Sequence, residues 1–446
     1  MGWFESVEHS RWLSEEMRAL LRHGHAAMTP TGFGYFNAEG EVDRGRPVDL
    51  AITARMTYAY SLGVLLGIPG SRKFCDHGVT CLRKYFEDPE YGGWYSEIQH
   101  EPDADGHGVP WDDQGARKWQ YGQAFVVLAA STAAIANRPG AHELVGRALD
   151  GQEEHWLDPE TGLVGDSATR DWSSFADYRG MNSLMHTIEA YLAASEAQQD
   201  SRWLYAAERM LRFVYQIASE NDWRVPEHYT GDWVPQFEYN KDAPDAPYYP
   251  YGFVIGHGME LSRLALQAEA GLAAVGCTTC EYLTEMAEEL FERSRTDGWR
   301  RNGHPGFIYS TDFEGHPVLE DHLQWVVSEG ICSAAFLRHA TVSSGAPHGE
   351  AEVYEHSYRS WLDYLNDYMQ LEPGVFIRAL SPDNTEASDV VSSRPDIYHP
   401  LQALLSSRLP VWPPFASALA HGLLDKPLRQ PREPVKKTGR PWARKQ

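Results

Sequence analysis

The strongest constraint on the fold is a repeat of helix pairs in which enclosed and half-exposed helices alternate. Residues 124–130 are apolar on every side, which is typical of a fully enclosed helix. The segment that carries Leu283, Met286 and Leu290 has one apolar stripe, with glutamates on its other side, which is typical of a helix with one face in solvent. The two kinds of segment follow one another along most of the chain.

The predicted helices form pairs separated by loops of two contrasting lengths. The expected helices lie near residues 8–23, 48–66, 70–87, 114–136, 141–156, 179–196, 201–219, 256–272, 278–296, 322–340 and 348–369, from about 400, and near 414–425. A small hairpin or turn is expected near residues 32–40. Long loops precede the enclosed helices, at about 88–113, 157–178, 220–255, 297–321 and 370–399. Such loops are uncommon unless they are functional, so one face of the molecule should carry the site.

Comparable positions near the starts of the enclosed helices recur every 65 to 74 residues. They are Arg55, Tyr121, His186, His257, Trp325 and His399. Six helical hairpins of similar length with no linker between them predict a closed ring. We therefore expect an all-α fold, an (α/α)6 barrel of six inner and six outer helices, in which the first helix completes the outer layer.

Composition and charge restrict the functional class. The chain has 446 residues and a formal net charge of −24, which disfavours binding to nucleic acid or an anionic membrane. Its longest nearly apolar run, residues 124–136, is shorter than the roughly 20 residues that cross a bilayer. No N-terminal signal is visible, and the five cysteines form no framework. We expect a cytoplasmic enzyme with reduced cysteines, either a monomer or a small homo-oligomer.

Residues 1–425 are expected to form a single catalytic domain, followed by a different kind of segment. Residues 426–446 contain eight Lys or Arg residues and four prolines. This composition is typical of a basic, poorly ordered tail. A packed strap across the acidic body is the alternative.

The inner helices of such a ring point their N-termini at one opening, where partial positive charge favours an anion. Within the pairs Asn182/His186 and Trp325/Glu329 the residues are four apart, so each pair shares a helix face. His257 and Glu260 share a face in the same way. The candidate site residues are Arg55, Tyr121, Asn182, His186, His257, Glu260, Trp325, Glu329 and His399.

Each candidate also has a purely structural interpretation. A histidine at a helix start is commonly a cap or a core residue, but recurrence at one repeat phase favours function for His257 and His399. Arg55 could form a structural ion pair with Glu260 or Glu329. Two rival clusters have weaker support. The group His100, Asp103, Asp105 and His107 falls in a loop without a scaffold for a metal, and the acidic run 383–389 lacks a calcium-loop pattern.

Taken in order, these residues resemble the N-acylglucosamine 2-epimerase superfamily over roughly residues 8–425. The motifs that carry the resemblance are Thr53-Ala54-Arg55-Met56, Met181-Asn182-Ser183-Leu184-Met185-His186, Gly256-His257-x-x-Glu260, Trp325…Glu329 and Asp396-x-Tyr398-His399. The epimerases of this superfamily tend to carry a Trp-Trp pair on the fifth inner helix, where this chain has Gln324-Trp325. Together with residues 306–315, this makes the chain similar to the aldose–ketose isomerase branch.

The resemblance implies a 1,2-isomerisation of a monosaccharide through a cis-enediolate, without metal or cofactor. D-Mannose to D-fructose is the expected reaction, with D-lyxose to D-xylulose as a variant. By the resemblance, His257 and His399 would share the acid and base roles, Glu260 would orient His257, and Arg55 would stabilise the enediolate oxygen. The residues that would hold the sugar are His186, Asn182, Tyr121, Trp325 and Glu329.

Several alternatives stay open at this stage. A sugar 2-epimerase of the N-acylglucosamine or cellobiose type comes first. A sulfoquinovose isomerase comes next, although no second basic residue near Arg55 claims a sulfonate. An inverting glycoside hydrolase would need a carboxylate pair such as Glu260 and Glu329 about 6.5–9.5 Å apart. A non-catalytic sugar-binding protein is also open. A metal-dependent isomerase is disfavoured because the sequence places no His/Glu ligand set at one site.

Overall fold

The computed structural model describes residues 2–37, 40–246, 249–277, 280–346, 348–385, 387 and 397–427. The α-helices of this part are α1 (Val7–His23), α2 (Leu50–Leu65), α3 (Ser71–Cys81), α4 (Gln120–Ile135), α5 (Ala141–Gly151), α6 (Met181–Gln198), α7 (Arg202–Glu220), α8 (Ile255–Ala274), α9 (Tyr282–Gly298), α10 (Gln324–Ser344), α11 (His348–Tyr364), α12 (Tyr398–Ser406) and α13 (Phe415–Ala420). Asp396 and most of the basic tail, residues 428–446, lie outside the described residues.

The helices form two concentric rings. Helices α2, α4, α6, α8, α10 and α12 are the inner ring, in which each contacts the next and α12 closes against α2. Helices α3, α5, α7, α9 and α11 each pack on the inner helix that precedes them, and α1 packs beside α12. This arrangement confirms the predicted all-α (α/α)6 barrel, including the position of the first helix.

The apolar pattern of each helix explains its layer. In α4, the side chains of Val126, Val127 and Leu128 are all buried although they point in different directions around the helix. In α9, Leu283 and its apolar neighbours are buried, whereas Glu285 on the opposite face is exposed. The short helix α13 packs against α2, α4 and α6, and so closes the barrel at the end away from the long loops.

Short antiparallel strands, which the sequence analysis did not predict, tie the long loops to the inner helices. Each strand lies immediately before an inner helix and pairs with a strand that follows the next outer helix. The pairs are 48–49 with 97–98, 118–119 with 167–168, 179–180 with 228–229, 253–254 with 310–311, and 322–323 with 379–380. Two residues are too few to show an alternating pattern, so periodicity could not reveal them.

The structure also corrects several predicted helix boundaries. The helix expected over 114–136 begins only at Gln120, because residues 118–119 pair in a strand. The helices expected over 70–87 and 141–156 leave α-helical geometry after Cys81 and Gly151 and continue as single π turns. The last helix ends at Ala420, short of the predicted residue 425. Within the described residues, no helix combines the length and hydrophobicity that crossing a bilayer requires.

Candidate active site

The strand ladders bring loop residues to the mouths of the inner helices. The first residue of each of the helices α2, α4, α6, α8 and α10 donates its backbone N–H to a loop carbonyl beyond the next outer helix. For α6, Met181 donates to the carbonyl of Glu227 at 2.9 Å. For α4, Gln120 donates to the carbonyl of Asp166 at 2.8 Å. At the starts of α4 and α6 the rim therefore combines helix residues with an acidic residue from a loop more than 40 positions away in sequence.

His257 lies in the first turn of α8 and is held by a loop carboxylate. Its Nδ1 lies 2.8 Å from Oε2 of Glu227. A carboxylate only accepts hydrogen bonds, so in the neutral form of the ring Nδ1 carries the proton and Nε2 has the lone pair. Glu227 is only 4% exposed, and its Oε1 has no hydrogen-bond partner among the described residues. His257 is thus arranged to accept a proton at Nε2.

His399 has the same arrangement with a different supporting structure. Its Nδ1 lies 2.7 Å from Oε1 of Glu329, on the neighbouring inner helix α10. The second oxygen of Glu329 accepts a hydrogen bond from Nε of Arg263 at 2.6 Å. Burial alone would raise the pKa of Glu329, but the charge of Arg263 and the hydrogen bond with His399 hold that pKa below its usual range. The carboxylate beside His399 therefore stays ionised.

A single indole lies between the two histidines. The ring of Trp325 lies 5.3 Å from His257 and 5.6 Å from His399, centroid to centroid. Gly256 makes this packing possible, because a Cβ at that position would lie 2.3 Å from the Trp325 ring. The glycine that precedes His257 in the sequence motif therefore brings the two imidazoles to the same side chain.

Below the histidines, Arg263 joins three buried carboxylates. Its guanidinium contacts Glu329 at 2.6 Å, Glu260 at 2.9 Å and Glu189 at 3.1 Å. Burial and the neighbouring charge of Glu329 raise the pKa of Glu260 well above its ordinary value. Arg263 therefore compensates the charges of Glu329 and Glu189, whereas burial beside Glu329 favours the protonated form of Glu260. Glu189 also accepts hydrogen bonds from Tyr398 and, at 3.0 Å, from Gln402.

His186 faces the same group without a close carboxylate. Its Nδ1 lies 3.7 Å from Glu260 and 3.8 Å from Glu189, beyond hydrogen-bond distance. Burial, with a further contribution from the charge of Arg55, lowers the pKa of His186 to about 3. His186 is therefore neutral at physiological pH.

Arg55 contacts aromatic rings, and it does not form the ion pair with Glu260 or Glu329 that was its structural alternative. Its Nη2 donates to the hydroxyl of Tyr121 at 2.7 Å. The centre of its guanidinium lies 4.3 Å from the ring centroid of Phe125 and 4.9 Å from that of Tyr398. Glu260 and Glu329, the two carboxylates considered for it, contact Arg263 instead.

The role expected for Glu260 also needs correction. Glu260 does not orient His257, because Glu227 occupies that position. The spacing of Glu260 and Arg263, three residues apart, was a readable sign of the ion pair, and so was the spacing of His186 and Glu189. Glu227 carried no such sign, because it reaches the site from a loop.

The structure also corrects the expectation that no set of His and Glu metal ligands lies at one site. Two groups of donors lie with their ligand atoms within 4.8 Å of one another: His186, Glu189 and Glu260, and Glu260, Glu329 and His399. A cation could in principle be held there, although Arg263 already contacts all three carboxylates. The same distance contradicts the hydrolase pair, because the facing oxygens of Glu260 and Glu329 are closer than the 6.5–9.5 Å of an inverting enzyme.

Comparison with known proteins identifies the family of the chain. The sequence model of the N-acylglucosamine 2-epimerase (GlcNAc 2-epimerase) family matches residues 32–403. The chain is 37% identical over 425 residues to a D-mannose isomerase of Thermobifida fusca, which covers 94% of this chain and 98% of that protein. It is 34% identical to a D-mannose isomerase of Pseudomonas cannabina pv. alisalensis, with 94% and 97% covered. A crystal structure of D-mannose isomerase superposes with a TM-score of 0.78 at 24% identity, covering 91% of this chain and 98% of that one.

The chain belongs to the N-acylglucosamine 2-epimerase family. In this family member a cavity of about 290 Å³ lies at the starts of α2, α4 and α6. Tyr121, Asn182 and Glu227 line it, so it adjoins the partner of His257. The predicted residues Tyr121 and Asn182 thus line this cavity, whereas His186, Glu260, Glu329 and His399 surround Arg263 at the barrel centre.

Proposed function

We propose that the protein is a sugar isomerase that interconverts an aldose and a ketose, with D-mannose and D-fructose as the principal pair. One observation carries the proposal. Two histidines flank a single indole, and each holds its Nδ1 against a carboxylate so that Nε2 can exchange a proton. The two D-mannose isomerases that align over 94% of the chain support the same reaction.

The chemistry needs one proton carrier at carbon and proton transfer at two oxygens. Removal of the C2 proton from the open-chain aldose, with protonation of O1, gives the cis-enediol. Loss of the O2 proton, with delivery of a proton to C1, then gives the ketose. His257 and His399 supply ring opening and the C1/C2 transfer between them, and each such group contributes on the order of 10²–10⁴ in rate.

The other side chains bind and polarise the sugar in this proposal. Arg55 provides the positive charge that stabilises the enediolate oxygen. Burial beside Glu329 favours the protonated form of Glu260, and in that form Glu260 can donate a hydrogen bond to a substrate oxygen. Trp325 offers an apolar face to the sugar ring, and neutral His186 hydrogen-bonds a hydroxyl.

The decisive experiment is incubation with D-mannose in D₂O, followed by NMR. We expect D-fructose that carries deuterium at C1 as the main product. D-Glucose as the main product would make the protein a 2-epimerase. Turnover only of sulfoquinovose would make it a sulfoquinovose isomerase. Sugar binding without any turnover would indicate a non-catalytic protein. The exposed His142 of α5 provides a control, because His142→Gln should leave the rate unchanged.

A metal requirement is tested separately. In the proposed mechanism, side chains perform every proton transfer, so activity should survive dialysis against EDTA. Activity that EDTA abolishes and a divalent cation restores would instead place an ion among the donors around Glu260.

A further inference from the structure

Residues 306–315, which the sequence analysis singled out, bring one side chain to the barrel mouth that the proposed mechanism does not use. This side chain is Tyr309. The carbonyl of Tyr309 accepts the N–H of Ile255, the first residue of α8, at 3.1 Å. The N–H of Tyr309 donates to the carbonyl of Leu319 at 2.8 Å. Backbone hydrogen bonds on both sides therefore fix Tyr309 beside the start of the helix that carries His257.

The ring of Tyr309 lies against the indole that separates the two histidines. It meets Trp325 edge-on, with the ring centroids 6.1 Å apart. The Trp325 ring in turn lies 5.3 Å from His257 and 5.6 Å from His399. Tyr309 is therefore one side chain away from both groups that exchange protons in the proposed reaction.

Tyr309 also reaches open space, unlike its neighbours in the chain. Among residues 306–311, Tyr309 is partly exposed and every other residue is buried. Its hydroxyl has no hydrogen-bond partner among the described residues. A tyrosine hydroxyl in an enclosed site usually has a partner, so Tyr309 presents a donor that the described part of the protein leaves available for a ligand.

The surroundings of Tyr309 keep this hydroxyl protonated. Burial, the negative charge of Glu227 and the neighbouring phenol of Tyr121 all raise the pKa of Tyr309 above its ordinary value. Glu227 and Tyr121 both line the cavity at the starts of α2, α4 and α6. Tyr309 therefore lies near this cavity as well as against Trp325, and at neutral pH it has an O–H to donate.

We propose that Tyr309 is a further sugar-binding residue that determines specificity, and that its hydroxyl donates a hydrogen bond to the hydroxyl at C3, C4 or C6 of the aldose. The oxygens at C1 and C2 are bound by the groups already assigned, His257, His399 and Arg55. Tyr309 lies one ring beyond the histidines, so it meets the unreactive part of the sugar. The inference rests on the proposed function, because it places a monosaccharide between the histidines.

This role predicts a particular kinetic signature. A hydrogen bond to an unreactive hydroxyl is equally strong in the ground state and in the transition state, so its loss raises KM and leaves kcat unchanged. Tyr309→Phe keeps the ring against Trp325 and removes only the hydroxyl. Its KM for D-mannose should be about fivefold higher than that of the parent, which is the usual contribution of one hydrogen bond, with kcat within about twofold.

The test compares the parent and Tyr309→Phe on 3-deoxy-, 4-deoxy- and 6-deoxy-D-mannose. One of these sugars lacks the hydroxyl that Tyr309 binds, so for that sugar the substitution should cause no further loss. For the other two sugars the loss of about fivefold should persist, because their contact with Tyr309 is intact in the parent. This pattern identifies a direct contact, since a general disturbance of the site would affect all three sugars alike.

The matched control is Tyr205→Phe, because Tyr205 is 46% exposed on α7, and it should leave KM unchanged for every sugar. An unchanged KM for mannose in Tyr309→Phe would overturn the inference, and so would a loss of the same size for all three deoxy sugars. A fall in kcat at constant KM would overturn it as well, because Tyr309 would then act in proton transfer.

A second measurement separates this inference from the proposed function. Turnover of D-mannose by the parent protein tests the proposed function alone. Without turnover, the same comparison is made with dissociation constants from isothermal titration calorimetry, which needs no reaction. A loss that disappears for one deoxy sugar would then support Tyr309 as a sugar-binding residue in a protein that is not a mannose isomerase. Equal losses, or no binding of any of these sugars, would overturn the inference.

Discussion

His257 and His399 occupy equivalent phases of the helical repeat, yet different parts of the fold hold them. Both have Nδ1 within 2.8 Å of a carboxylate oxygen. The partner of His257 is Glu227, which comes from a loop, lines a cavity and has one oxygen without a hydrogen-bond partner among the described residues. The partner of His399 is Glu329, which comes from a helix and shares its charge with Arg263.

Because of this difference, we expect the two carboxylates to affect catalytic rate and folding stability differently. The carboxylate beside His399 belongs to a buried ion-pair network in which removal of one member leaves uncompensated charge. The carboxylate beside His257 belongs to no ion-pair network with a lysine or arginine among the described residues. We infer that the loop side of the site can be altered with an effect on rate alone, whereas the Arg263 side couples rate to folding.

We expect the largest effect from substitution of the two histidines themselves. His257→Gln and His399→Gln should each lower kcat for mannose by about 10²–10⁴, because each loses a proton-transfer group. The exposed His142→Gln is the control. If one variant keeps its rate within tenfold of the parent, the two histidines do not contribute equally to proton transfer.

The same two variants can show which histidine opens the sugar ring and which transfers the proton between C1 and C2. D-Glyceraldehyde is too short to close a stable ring, so its isomerisation needs no ring opening. The variant that lacks the ring-opening histidine should be impaired far less on D-glyceraldehyde than on mannose. The other variant should be impaired on both. Equal losses on both substrates in both variants would mean that both histidines act at C1 and C2.

The second prediction concerns the ion-pair network. Arg263→Met should lower the free energy of unfolding by about 3–5 kcal/mol, because it leaves three carboxylates buried around an apolar side chain. Arg263→Lys should lie in between, because one ammonium cannot reach three carboxylates in that geometry. Urea titration measures both variants. The control is Arg295→Met, which removes a half-exposed ion pair with Glu292. A loss for Arg263→Met as small as that of the control would contradict the coupling of rate to folding.

The third prediction concerns the loop carboxylate. Glu227→Gln should lower kcat about 100-fold, because an amide can also donate to Nδ1 and so favours the tautomer of His257 without a lone pair on Nε2. The free energy of unfolding should change by about 1 kcal/mol or less. Glu238→Gln, an exposed change in the same loop, is the control. A parallel loss of stability would show that the two histidines are supported alike.

The contrast between the two partners also explains how much the sequence could reveal. The inner and outer helices follow long apolar patterns, so the barrel and its candidate helix-borne residues were predictable. Arg263 and Glu189 stood at readable spacings from Glu260 and His186. Their roles escaped prediction because spacing along one helix does not say which neighbouring helix supplies the third charge.

Glu227 could not be found in this way. It reaches His257 because its carbonyl accepts the N–H of Met181, at a strand pair only two residues long. Such a pair depends on two loops meeting in the folded barrel, and its residues carry no periodic signal. The prediction that Glu260 orients His257 was therefore wrong: the carboxylate nearest in sequence was chosen in place of the one nearest in space.

The smallest expected effect concerns His186, whose Nδ1 lies beyond hydrogen-bond distance of the nearby carboxylates Glu189 and Glu260. Its pKa is about 3 in the folded protein against an ordinary value of 6.5, so the unfolded chain binds the proton first as pH falls. Stability from this group is complete above pH 6.5 and is lost progressively toward pH 3. At pH 5 the loss should be about 2 kcal/mol.

His186→Gln should remove that part of the acid sensitivity. Urea titrations at pH 7.5 and pH 5 should show a drop in unfolding free energy about 2 kcal/mol smaller in the variant than in the parent. Packing lost through the substitution is the same at both pH values and cancels in this difference. The exposed His142→Gln should retain the full drop. If His186→Gln retains it as well, His186 gains a proton in the folded protein, and it must then be counted with His257 and His399 among the groups that exchange protons.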